Sequence, residues 1–168
     1  MAGAGPERPV PLTGRHELHD FCCGIDDLDV WLRQRALPNQ QTGASRTFVL
    51  CDGPRVIGYY CLSSAQLHRP LAVSKMRRNM PEQMPAILVG RLAIDRRYQG
   101  RGFGGDLVFD AVRHVVEAVE HMGIRLIMVH AISDEAVNFY KNLGFESSPV
   151  QPRTLMITMA DAEAALGR

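Results

Sequence analysis

Two features of the 168-residue chain carry residue types whose spacing could do chemistry. The first is the run Leu92-Ala93-Ile94-Asp95-Arg96-Arg97-Tyr98-Gln99-Gly100-Arg101-Gly102-Phe103-Gly104-Gly105. An apolar segment leads into a glycine-rich turn, and the turn opens a helix. Glycines let successive backbone N–H groups converge, and a helix N-terminus adds about half a positive charge. Such a turn is a cradle for a pyrophosphate. The second feature is charge segregation. The formal net charge is only +1, yet Trp31 to Arg101 holds twelve arginines and lysines against Asp52, Glu82 and Asp95. That segment carries +9 and the remainder −8, a separation that suits a polyanionic ligand on one face. Arg77, Arg78, Arg91, Arg96 and Arg97 are the candidate phosphate contacts, with Arg33 and Arg35 as outliers.

The elements that must hold these residues read as a mixed α/β sheet. Val10 to Leu12 is a short first strand. Ile25, Leu28, Leu32 and Ala36 fall on one helical stripe, with Asp26 or Asp27 as N-cap and Trp31 beside it. Pro38 and Gly43 end that helix by Asn39. Thr47 to Cys51 and Val56 to Leu67 form a hairpin around Asp52-Gly53. His68 to Pro85 reads as a long loop, a length that is usually functional or mobile. Ala86 to Ile94 is the next strand, and Leu107, Ala111, Val112, Val115 and Val119 mark a helix of about four turns. Leu126 to Ala131 is a buried strand. Ser133 to Leu143 is a helix with Ser133 as N-cap, acids in its first turn, Lys141 in its last and Gly144 behind it. Phe145 and Leu155 to Met159 supply closing strands. The order is β-α-β-β-β-α-β-α-β-β, expected as one domain over residues 10–161 between loose tails at 1–9 and 162–168.

Three phosphate-binding patterns compete for the turn. No Gly-Lys-Ser/Thr follows, which excludes a Walker A loop. A dinucleotide fingerprint fits Gly100, Gly102 and Gly105 in spacing, but five residues, Asp95 to Gln99, separate the turn from its strand. The next strand also ends in His130-Ala131 rather than in an acid that could hold a ribose. Gln99-x-x-Gly102-x-Gly104 instead resembles the coenzyme A pyrophosphate motif of the GNAT N-acetyltransferases. Their second hallmark is an aromatic-rich late helix, which Ala136-Val137-Asn138-Phe139-Tyr140-Lys141-Asn142-Leu143-Gly144-Phe145 resembles. The element order is also theirs.

The resemblance narrows at Phe21-Cys22-Cys23-Gly24, Leu28-Asp29-Val30-Trp31-Leu32, Ser45-Arg46-Thr47-Phe48-Val49, Gly58-Tyr59-Tyr60, Arg91-Leu92-Ala93-Ile94-Asp95 and Val129-His130-Ala131. Together these are similar to the acetyltransferase toxins of bacterial toxin–antitoxin pairs, the TacT/AtaT-like subfamily, from about Leu12 to Asp161. Cys22-Cys23-Gly24 departs from the single cysteine expected before that glycine. The resemblance implies a GNAT fold and acetyl transfer from acetyl-CoA to the α-amine of aminoacyl-tRNA. It also implies a homodimer and a neutralising ribbon–helix–helix antitoxin, through whose complex DNA is bound.

Several residue roles follow from that resemblance. Leu92, Ala93 and Ile94 pair their backbone with the pantetheine arm, and an Ile94 N–H polarises the thioester carbonyl. Gln99, Gly100, Arg101, Gly102, Phe103, Gly104 and Gly105 form the cofactor turn, and Asn138 hydrogen-bonds the cofactor arm. Tyr140 matches the position of the acid that protonates the leaving thiolate. The assignment of Arg96, Arg97 and Arg101 between acceptor phosphates and CoA phosphates stays open. Other GNAT substrates, a small amine or a protein lysine, also stay open, as does a non-catalytic partner that binds antitoxin and DNA.

Composition sets outer bounds. Hydrophobic residues at 46% and charged residues at 22% exclude a disordered or fibrous chain. No apolar stretch reaches the ~20 residues of a membrane span, and the first residues lack a secretory pattern. A soluble cytoplasmic protein is therefore expected. Cys22, Cys23, Cys51 and Cys61 make no metal or redox pair and are expected as free thiols. None lies in the glycine turn or the late helix, which argues against thiol nucleophile chemistry. No metal is expected.

Overall fold

The computed structural model describes residues 6–167. Residues 1–5 of the expected N-terminal tail, and residue 168, lie outside the described residues. Pro6 to Pro9 precede the first strand without regular structure. The strands are β1 Val10–Pro11, β2 Arg46–Asp52, β3 Arg55–His68, β4 Gln83–Ile94, β5 Leu126–His130, β6 Glu146–Ser147 and β7 Thr154–Thr158. The helices are α1 Asp26–Gln34, α2 Ala36–Thr42, α3 Ser74–Arg77, α4 Phe103–Ala118, α5 Asp134–Asn142 and α6 Met159–Ala165. The hydrogen-bonded strand order is β1-β2-β3-β4-β5-β7-β6. β4 and β5 run parallel, while β1–β2, β2–β3, β5–β7 and β6–β7 are antiparallel. This is the mixed sheet flanked by helices that the sequence order implied.

The chain forms two compact units. One takes the described residues through Ser63 together with Gly90–Ala111. Its core joins Leu12, Phe21, Leu32, Ala36, Val49, Val56, Tyr59 and Ala93. Trp31 stacks on Tyr59 with ring centroids 5.9 Å apart and 11° between planes. β2 and β3 register from Arg46↔Leu62 to Asp52↔Arg55, with a bulge at Leu50/Cys51. The second unit takes Ser64–Val89 and the described residues from Val112 onward. Its core joins Leu67, Ala72, Met76, Met84, Ala86, Leu126, Met128 and Met156.

Local chemistry explains where the structure departs from the expected elements. The helix at Asp26 has no side-chain cap: Ile25 occupies the cap position, and the acids Asp26, Asp27 and Asp29 complement the helix dipole instead. Asp29 is buried and accepts the Cys23 N–H at 2.9 Å. The expected fade by Asn39 does not occur. The break falls at Arg35, and Pro38 enters the first turn of α2, where a missing N–H costs no helical bond. The expected loop from His68 to Pro85 is structured. It contains a 3₁₀ turn at Arg69–Leu71, helix α3 and the start of β4. Ala72, Met76 and Met84 bury it, and three scattered small or flexible side chains leave no periodic trace. The closing strand ends at Thr158, and the expected C-terminal tail is helix α6 through Ala165. Thr158 Oγ1 accepts the Asp161 N–H at 3.0 Å, and Ala162 is buried. The four cysteines are free thiols: Cys23 and Cys61 buried, Cys51 half-buried and Cys22 exposed.

Candidate functional site

The glycine turn follows a β4 segment that has lost its pairing to β5. The β4–β5 ladder runs from Ala86↔Leu126 to Val89↔Val129, so Gly90 to Ile94 have no β5 partner in that register. A 3₁₀ turn, Arg96–Tyr98, follows β4, and α4 starts at Phe103. Gly100 and Gly102 hold φ of +77° and +85°, the left-handed region that side chains resist. From Gly100 to Gly105, no backbone N–H has a hydrogen-bond partner among the described residues. The next N–H, from Asp106, donates to the Gly102 carbonyl at 3.2 Å. A Cβ built on Gly100, Gly102 or Gly105 would meet nothing within 4 Å. Unpaired donors around open space fit an anionic diphosphate. Leu92 and Ala93 sit on the β4 segment that leads into this turn, and Gly104 and Gly105 lie in the first turn of α4.

A buried carboxylate ties the turn to the loop before α1. Asp95 is 1% exposed and accepts four hydrogen bonds: from the Cys22 N–H (3.2 Å), the Arg97 N–H (3.0 Å), and Arg97 Nε (3.0 Å) and Nη2 (3.2 Å). Burial pushes this carboxyl up, but the Arg97 guanidinium and the two N–H groups outweigh it and hold it below the ordinary aspartate value. Alongside, the Arg96 N–H donates to the Cys22 carbonyl at 2.8 Å. Gln99 Nε2 donates to the carbonyls of Cys23 and Ile94, both at 2.8 Å. Gln99 therefore holds the turn in place with its amide nitrogen. The bracing roles of Asp95 and of Cys22-Cys23 were not expected. Their only sequence signal is an isolated acid in a basic run, because Cys22 and Asp95 are 73 positions apart.

Helix α5 presents Tyr140 inward and Asn138 outward. Its start is fixed by Ser133 Oγ, which accepts the Ala136 N–H at 3.1 Å. The Tyr140 ring lies edge-on to Phe139 (5.0 Å) and Phe145 (5.7 Å). Its hydroxyl has no hydrogen-bond partner among the described residues, and burial pushes the phenol up to about 12. Asn138 is exposed, and its amide is likewise unpartnered among the described residues.

The candidate arginines divide into committed and available groups. Arg97 pairs with the buried Asp95 carboxylate through Nε and Nη2, and its side chain is otherwise half exposed. Arg91 lies over the Trp31 ring at 4.5 Å. Arg101 donates to the Arg97 carbonyl at 2.9 Å and lies over the Tyr98 ring at 5.1 Å. Arg33 donates to the Phe21 carbonyl at 2.7 Å, and Arg77 to Ser74 Oγ at 2.8 Å. The guanidinium groups of Arg35, Arg78 and Arg96 are exposed with no hydrogen-bond or ion-pair partner among the described residues. Among the described residues no His, Cys, Asp and Glu group could hold a metal ion. No helix there is long and apolar enough to cross a membrane.

Comparison with known proteins gives consistent matches. The family model for the acetyltransferase (GNAT) domain matches residues 43–147. A protein of Mycobacterium tuberculosis (strain ATCC 25618 / H37Rv) named tRNA-acetylating toxin is 43% identical over 164 residues, covering 98% of this chain and 99% of that one. The solved structure of AtaT complexed with acetyl-methionyl-tRNAfMet superposes with a TM-score of 0.87 at 30% identity, covering 94% of this chain and 98% of that chain. A tyrosine-to-phenylalanine variant of the AtaT toxin, bound to the C-terminus of the antitoxin AtaR and acetyl-CoA, gives 0.81 at 28% identity, covering 95% and 97%.

Proposed function

The chain belongs to the GNAT acetyltransferases, and on that premise we propose that it is the toxin of a toxin–antitoxin pair, moving acetyl from acetyl-CoA to the α-amino group of aminoacyl-tRNA and so blocking translation. The observation that carries the acceptor is the 43% identity, end to end, with a tRNA-acetylating toxin. The +9 segment supports it, since a polyanion is the acceptor that such a surface attracts. The neutralising partner is proposed as a ribbon–helix–helix antitoxin and the working assembly as a homodimer, with DNA bound only through the antitoxin complex. The related AtaT toxin was solved with an antitoxin's C-terminus.

The residues divide the work as follows. The N–H groups from Gly100 to Gly105 receive the pyrophosphate of acetyl-CoA, and the β4 edge that runs past the β4–β5 ladder through Leu92, Ala93 and Ile94 aligns its pantetheine arm. The Ile94 N–H polarises the thioester carbonyl as negative charge builds on oxygen, and Asn138 hydrogen-bonds the cofactor arm. When bound, acetyl-CoA supplies the activated acyl group. The attacking amine must be neutral. A free α-amine with a pKa of 7.7–8.0 loses its proton at neutral pH for about 1 kcal/mol, so a strong protein base is dispensable.

Tyr140 donates to the departing sulfur. A phenol pushed up to about 12 is always protonated near neutrality but is a weaker acid than a thiol, whose ordinary pKa is about 8.5. Its contribution is therefore a hydrogen bond to sulfur as negative charge develops there. The net proton comes from the amine, which loses N–H as the thiol gains S–H. Arg78 and Arg96, whose guanidinium groups have no partner among the described residues, are the first candidates for tRNA phosphate contacts, followed by Arg77 and Arg91.

Incubation with labelled acetyl-CoA and total charged tRNA tests the assignment. Label should enter RNA and be released by mild alkali as N-acetyl amino acid. Label found only in small amines or protein lysines would replace this acceptor with another, and the absence of any turnover would remove the enzyme reading altogether.

A further inference from the structure

The hairpin turn between β2 and β3 is linked to the cofactor turn by side chains with no part in the acyl transfer. Tyr98 closes the 3₁₀ turn just before Gly100. Its hydroxyl donates to the Asp52 carboxylate at the end of β2 and accepts from Arg55 Nη2 at 3.1 Å. Asp52 and Arg55 are themselves 3.7 Å apart across the hairpin turn. Arg101 lies over the Tyr98 ring, and Phe103, the first residue of α4, tilts against it with centroids 6.4 Å apart. One side chain thus touches the hairpin through its oxygen and both ends of the Arg101–Phe103 segment through its ring.

That arrangement answers a physical need. Gly100 and Gly102 flank Arg101, and neither supplies backbone stiffness of its own. A turn whose donors are unpaired gains nothing from its own hydrogen bonds until an anion arrives. Ordering it at that moment would subtract from affinity, whereas a turn held in place beforehand binds at a smaller entropic cost. The Asp95 brace fixes the entry to the turn; the Tyr98 contacts fix Arg101 and the start of α4.

We infer that Tyr98 is a positioning residue for the phosphate-bearing part of acetyl-CoA, holding the cofactor turn against the Asp52–Arg55 hairpin. The inference rests on the acetyl-CoA donor and not on the identity of the acceptor. Tyr98→Phe removes the hydroxyl link and keeps the ring, and Asp52→Asn weakens the same link from an exposed position. Calorimetric titration with acetyl-CoA should show each variant binding about 3- to 10-fold more weakly, the scale of one net hydrogen bond. The double variant should bind no more weakly than the poorer single one, because both break one connection. The kcat at saturating acetyl-CoA should stay within about twofold, with the loss confined to KM for acetyl-CoA.

Unchanged affinity in both variants would overturn the inference, as would additive losses or a fall in kcat at saturation. If Tyr98→Phe does not fold, Asp52→Asn decides alone: weaker binding supports the link, unchanged binding refutes it. Because the titration uses acetyl-CoA only, a wrong acceptor assignment would leave its result intact, and its failure would leave the acceptor assignment standing.

Discussion

The proposed donor Tyr140 has its acidity set by burial and not by a charged neighbour. Two aromatic rings pack against it, and desolvation alone pushes its phenol up to about 12. Tyr140→Phe keeps the ring and its packing, so thermal stability should change by less than about 1 kcal/mol. Loss of a proton donor or of a hydrogen bond to developing charge typically costs at least about 10²-fold, and kcat should fall by that much with acetyl-CoA affinity nearly unchanged. The pH profile follows from the direction of the shift. A donor must be protonated, and a raised pKa keeps it so across the neutral and mildly alkaline range. The rate should rise as the amine deprotonates, near 7.7–8.0 for a free α-amine, then level off, with no alkaline loss up to about pH 10 once ester hydrolysis is subtracted. Normal turnover per folded molecule in Tyr140→Phe would mean that the tyrosine only packs.

At the scale of elements, the glycine turn proposed to hold the cofactor is built from two kinds of glycine. Gly102 is required by its backbone: at φ +85° an alanine would cost about 1–2 kcal/mol. Gly104 lies within the first turn of α4, without the left-handed backbone of Gly102, and there an anionic ligand would not accept an acid. Gly104→Glu should therefore leave a folded protein by circular dichroism while abolishing measurable acetyl-CoA binding. Retained affinity would move the pyrophosphate site away from this turn. The turn itself was legible in the sequence because strand, glycines and helix are contiguous there. Its braces were not, since Asp95 meets Cys22 and Gln99 meets Cys23 only after distant segments fold together.

For the whole molecule, charge is the long-range property that bears on the acceptor. Arg77 is half-buried on Ser74, while Arg78 beside it is exposed and its guanidinium is unpartnered among the described residues. Replacing both with alanine should weaken tRNA binding, leave acetyl-CoA affinity unchanged and flatten the salt dependence. On single-stranded or duplex nucleic acid each lost phosphate contact lowers the log–log slope by about 0.7–0.9. Filter binding across a salt series would read this directly. An unchanged slope would exclude this segment from the acceptor surface and turn attention to Arg35 and Arg96.

The sequence by itself determined the order of elements along the chain, the glycine turn and the capped helix that carries Tyr140. All three are written in contiguous residues whose spacing, glycine content and caps act locally. Tertiary structure alone decided which arginines stay free. Arg97 pairs with the buried Asp95 carboxylate, Arg91 is stacked on Trp31, and the guanidinium groups of Arg35, Arg78 and Arg96 have no hydrogen-bond or ion-pair partner among the described residues. It also turned the expected loop from His68 to Pro85 into packed structure, through Ala72, Met76 and Met84. Helical and strand periodicity records which face an element buries. It does not record which distant charge a side chain will meet, because that depends on segments brought together only by the completed fold.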